Sequence, residues 1–126
     1  MLQKTRSETE VFLATVRKLL EEDEKNLVIV PRTDNKTVLF MNEHGFRVKH
    51  VIEILQVLSP DNFCKAEIDD NPDFSGEVWI FGYHINRLFA EMCCELYIKL
   101  KLTEKVICIS FHEAESGMVY AAFRQG

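Results

Sequence analysis

The clearest pattern in the chain is Glu95-Leu96-Tyr97-Ile98-Lys99-Leu100-Lys101-Leu102, where every even position is aliphatic and every odd one polar or amphipathic. That period of two belongs to a half-buried strand. It predicts one face in a core, with Tyr97, Lys99 and Lys101 on the other. The runs Glu77 to Ile85 and Val106 to His112 are equally strand-like, and Thr103-Glu104-Lys105 is short enough to be a hairpin turn. The sequence therefore predicts a small antiparallel sheet whose last strand ends on a lone histidine, with chemistry on one face.

The earlier part of the chain changes period. Ser7-Glu8-Thr9-Glu10 has the spacing of a capping box, and Phe12, Val16, Leu19 and Leu20 follow at helical spacing into the acidic run Glu21 to Glu24. Leu27 to Val30, closed by Pro31, suits an edge strand. A second helical pattern runs from Asp34 through Val38, Leu39 and Met41 to Gly45, a fitting left-handed cap on which Phe46 packs back. A third helix, Val48 to Leu58, buries Val51, Ile52, Leu55 and Leu58, and Ser59-Pro60 starts a further short turn. Cys64 to Ile68 reads as a strand with Lys65 and Glu67 on one side and Cys64, Ala66 and Ile68 on the other. Asp69 to Asp73 is turn chemistry, and Asn86 to Cys94 is too long for a tight hairpin.

Helices first and strands after indicate an α+β fold, a small antiparallel sheet with N-terminal helices packed on one face and the other face left for function. The expected organisation is one domain over residues 1–126: mainly helical at 1–62, mainly β at 63–112, and a tail at 113–126. Its 126 residues suffice for a single core. No apolar run approaches the roughly 20 residues needed to span a bilayer, so the expected location is cytoplasmic. Cys64, Cys93, Cys94 and Cys108 lack paired Cys-x-x-Cys spacing and read as reduced thiols rather than metal ligands. The formal net charge of −5 argues against a generic nucleic-acid coat, so any anion site must be assembled by folding.

Leu58-Ser59-Pro60-Asp61-Asn62-Phe63-Cys64-Lys65, Glu77-Val78-Trp79, Leu96-Tyr97-Ile98-Lys99-Leu100 and Ile109-Ser110-Phe111-His112 occur in the order and approximate spacing of the MqsR family of toxin–antitoxin ribonucleases. The chain resembles that family over roughly its C-terminal two-thirds. The resemblance implies a RelE-like α+β toxin, a metal-independent endoribonuclease that cleaves mRNA, needs no cofactor and is neutralised by a cognate antitoxin. The family's first active-site lysine falls on Lys65, its tyrosine on Tyr97 and its final lysine on His112. Its glutamine falls on or beside Gly76, leaving Glu77 as the nearest polar side chain, and a carboxylate there cannot donate to a phosphate as an amide can.

Metal-free RNA cleavage needs a base for the 2′-hydroxyl proton, an acid for the leaving 5′-oxygen and cations for the charge that builds on phosphorus. A histidine titrating near neutrality suits the first two tasks and lysines the third. Lys65, Tyr97, Lys99 and His112 are accordingly the expected catalytic residues, with Glu77, Trp79 and Lys101 contacting substrate. The bland readings are a solvated His112, lysines on a wet strand face, and Tyr97 and Trp79 as cross-strand packing partners. The alternative function is a non-catalytic protein-binding module on a toxin-like fold. His112-Glu113-Ala114-Glu115 lacks the His-Glu-x-x-His spacing of a zinc site, and no phosphate-binding glycine loop or nucleophile elbow is present.

Overall fold

The computed structural model describes residues 2–30, 35–69, 76–85, 94–121 and 123. The expectations for Pro31 and Asp34, for the acidic turn at 70–73, and for the connector at 86–93 with Cys93 lie outside these residues. Helix α1 spans Arg6–Glu22, α2 Lys36–His44 and α3 Val48–Val57, with the strands β1 Leu27–Ile29, β2 Phe63–Ile68, β3 Glu77–Ile85, β4 Cys94–Leu102 and β5 Val106–Glu113. The strands form one sheet in the order β1-β5-β4-β3-β2. β2 to β5 pair antiparallel as the sequence indicates, whereas β1 adds to β5 in parallel, so the sheet is mixed.

Helix α1 starts two residues earlier than the Ser7 signal suggests. Thr5 is the N-cap, its hydroxyl accepting from the Glu8 N–H while the Glu8 carboxylate accepts from the Thr5 N–H. Both readings have the same three-residue spacing, and sequence alone does not choose between them. In α2 the buried side is Thr37 and Phe40, while Val38 and Leu39 are exposed, contrary to the predicted stripe. Phe40 decides this orientation by packing edge-on to Phe46 and Phe111. Gly45 ends the helix at φ +67°, where a side chain would be strained.

The core lies between the helices and one face of the sheet. Phe12 of α1 stacks on Trp79 with ring centroids 4.2 Å apart, and Phe81, Ile98, Leu100 and Phe111 continue that face across β3, β4 and β5. The opposite face carries Tyr97 and Lys99, as the alternation of β4 predicts. Residues 114–121, which follow β5, turn back over this second face. The Ala114 N–H donates to the Glu95 carbonyl and the Ala121 N–H to the Phe63 carbonyl.

Candidate functional site

β4 and β5 build the floor of the site. Their register sets Tyr97 directly opposite His112 and Lys99 opposite Ser110. The Tyr97 and His112 rings lie 5.4 Å apart and 16° from parallel, and the His112 Nδ1 lies 2.9 Å from the Glu113 carbonyl oxygen. β1 pairs only with the first half of β5. Beyond it the Phe111 N–H donates to the Thr37 hydroxyl at 3.0 Å, so α2 holds the edge of β5 that faces away from β4 next to His112.

Lys65 arrives from β2. The β2–β3 pairing shifts register between Phe63 and Lys65, with Phe63 opposite Phe81 and Lys65 opposite Ile80. This irregularity breaks the expected alternation: Cys64 joins Lys65 in lining the site instead of facing away from it; Ile68, at the end of the regular stretch beyond, is exposed. A bulge of this kind turns neighbouring side chains toward one face, and the sequence does not announce it. Lys65 pairs with Glu67 at 2.9 Å, a contact that raises the lysine's pKa and lowers the glutamate's. Burial, with the Glu95 carboxylate second, pushes the Cys64 thiol up to about 11, so it is a protonated wall group at neutral pH.

The result is a cleft of about 530 Å³ that brings together Lys65, Tyr97, Lys99 and His112. Its volume falls in the range of small-ligand sites. The three remaining predicted residues are not among its lining groups. Glu77 and Trp79 belong to the helix-facing side of β3, where Glu77 pairs with Lys4 at 2.7 Å and Trp79 stacks on Phe12. Trp79 and Tyr97 are thus not cross-strand partners: Trp79 pairs with Leu100, and Tyr97 with Gly82. Lys101 is buried and pairs with Asp69 at 2.9 Å. The backbone alternation is correct for Lys101, but the β2 end folds against it and removes its ammonium group from solvent.

Gly76, at the position where the resemblance puts a glutamine, has φ +111°, and an added Cβ would stand 3.4 Å from Lys101 Cε. The backbone conformation therefore favours glycine, while the space beside it would admit a Cβ at ordinary contact distance. Sequence reasoning missed Cys64, Lys36, Ser110 and the segment 115–119, all of which line the cleft. Lys36 forms an ion pair with Glu115, joining α2 to that segment. Of these only Ser110 is marked in the sequence, two residues before His112 on the same strand; a bulge brings in Cys64, α2 brings in Lys36 and a chain reversal brings in 115–119.

Helices on one sheet face and a cationic, aromatic cleft on the other define an α+β fold with a candidate anion site on its sheet. The family profile described as "Motility quorum-sensing regulator, toxin of MqsA" matches residues 9–113, and the chain belongs to this toxin family. Neither the curated proteins nor the solved structures give a significant match.

Proposed function

We propose that this protein is the toxin of a toxin–antitoxin pair and acts in the cytoplasm as a metal-independent endoribonuclease on mRNA. Its catalytic residues in this reading are Lys65, Tyr97, Lys99 and His112. The observation that carries it is the convergence of these four side chains, from β2, β4 and β5, in one cleft. RNA supplies its own nucleophile, so the protein must move protons and stabilise charge. His112 exchanges a proton with the 2′-hydroxyl or the leaving 5′-oxygen, and the stacked Tyr97 ring fixes the imidazole plane. Lys65 and Lys99 neutralise the phosphorane oxygens. The Tyr97 hydroxyl offers a hydrogen bond to phosphate, while its ring face is already covered by His112.

The family description names an antitoxin partner, MqsA, and supports the expectation that a cognate antitoxin neutralises this chain. A second reading, a protein-binding module without nuclease activity, is favoured by the net charge of −5 and by glycine at position 76. Incubating purified protein with mRNA in excess chelator distinguishes the two. Cleavage that disappears when the substrate is 2′-deoxy at the cut site supports the nuclease. Intact RNA, together with tight binding of a neighbouring-gene product and no growth arrest on expression, supports the module.

A further inference from the structure

The family match ends at residue 113, yet residues 115–119 line the cleft. What holds this added segment in place is Glu95. One carboxylate oxygen accepts from the Met118 N–H at 2.9 Å; the other accepts from the Tyr120 hydroxyl at 2.6 Å and lies 3.2 Å from His84 Nε2. The Glu95 side chain is only 17% exposed, and hydrogen bonds from Tyr120 and then Met118 hold its carboxyl below the ordinary range. The phenol closes down on Gly82, where an added Cβ would stand 2.5 Å from the Tyr120 oxygen and 2.9 Å from two ring carbons. The Lys36–Glu115 ion pair ties the other end of the segment to α2. A charged acceptor, a glycine notch and an ion pair together fix one short stretch of chain beside the cationic floor.

The wall so formed differs chemically from that floor. Met118 and the largely exposed Val119 present apolar side chains, while Lys65, Lys99 and His112 present cations and a proton donor. We propose that residues 115–119 are a nucleobase-selecting wall: with a phosphate on the cationic floor, the base of the adjoining nucleotide rests against Met118 and Val119. Glu95 and Tyr120 are the positioning residues that hold this wall. A flexible thioether beside the small residues Ser116 and Gly117 suits contact with one flat, unstacked base. The inference rests on the nuclease reading of the same cleft and adds the origin of its sequence preference.

The test separates binding from cutting. Four single-stranded oligonucleotides, non-cleavable through 2′-deoxy substitution and differing only in one central base, are titrated against the wild-type chain and the Glu95→Gln, Tyr120→Phe and Gly82→Ala variants. Wild type is expected to prefer purines over pyrimidines by about threefold, because the larger base covers more of an apolar wall. The variants lose that preference while remaining folded, with wild-type circular dichroism and a cooperative, somewhat lowered thermal transition. On cleavable RNA, sequencing of the cut ends shows a broadened site in the variants, with KM raised about tenfold and kcat changed by less than about threefold. Equal binding of all four strands by wild type overturns the wall, whether or not RNA is cut. Unchanged preference in folded variants also overturns it. Selective binding without cleavage preserves the wall and overturns only the nuclease reading.

Discussion

Tyr97 and His112 face one another across β4 and β5, with rings stacked 5.4 Å apart at the floor of the cleft. Neither position is informative by itself: one is an outward residue of an amphipathic strand, the other a histidine near a strand end. Their register makes them a pair: an irregularity between Lys99 and Leu100 shifts by one residue the pairing set by the short turn that joins β4 and β5, so that His112 rather than Phe111 stands opposite Tyr97. In that turn the Thr103 N–H donates to the Lys105 carbonyl at 3.0 Å. A histidine held this way keeps one ring plane, which proton transfer in a fixed direction requires.

His112→Ala is expected to lower kcat for RNA cleavage by about 100-fold or more, the usual contribution of a positioned acid or base. Because His112 is only half-buried, the variant should unfold at nearly the wild-type temperature. A folded variant that cuts at the wild-type rate would remove His112 from the mechanism.

The Glu95 latch should respond to acid. Its carboxyl pKa is lower folded than unfolded, chiefly through the Tyr120 hydrogen bond. Its contribution is therefore complete above the unfolded value, near the ordinary 4.5, and is lost as pH falls through the depressed folded one. Tyr120 behaves oppositely: burial first, then Glu95, raises its pKa, so its contribution is present below about pH 10, where an unfolded tyrosine ionises, and is lost as pH rises through the folded value. The Met118 amide resonance should follow the acid limb, and Glu95→Gln should abolish that titration.

Lys101→Ala should destabilise the fold rather than merely weaken substrate binding. Its side chain is 9% exposed and that of Asp69 13%, so removing the ammonium takes an opposite charge from a largely buried carboxylate. Loss of one member of a buried pair costs about 3–5 kcal/mol. Urea unfolding at neutral pH measures this, and a shift below about 1 kcal/mol would contradict the buried pairing.

Trp79 is the only tryptophan in the chain, so its emission reports on the Phe12 stack on the helix side of the sheet. Adding saturating non-cleavable RNA should leave its wavelength unchanged, while Phe12→Ala should shift it to the red. A shift caused by RNA would return Trp79 to the substrate-binding role that the sequence suggested.

Much of the fold was legible because its signals are local. The β4 alternation gives the inner and outer faces, Gly45 gives a helix end, and Ser59-Pro60 starts the short turn Pro60–Asn62 with the Ser59 hydroxyl accepting from the Asp61 N–H. Each depends on steric limits or hydrogen-bonding needs within a few residues. Where two signals compete locally, as at Thr5 and Ser7, the sequence leaves the choice to packing.

By itself the sequence determined an α+β chain, helices before strands, with Tyr97 and Lys99 turned away from the core. Only the tertiary structure decided the company they keep. It paired Tyr97 with His112, used a bulge to bring Cys64 to the side of Lys65, turned Glu77 and Trp79 toward the helices, and folded Asp69 onto Lys101. It also bent residues 114–121 back onto Glu95, for which no periodicity prepares. The reason is physical: period and propensity act over a few residues, whereas register, bulges and chain reversals are fixed by contacts between residues far apart in sequence.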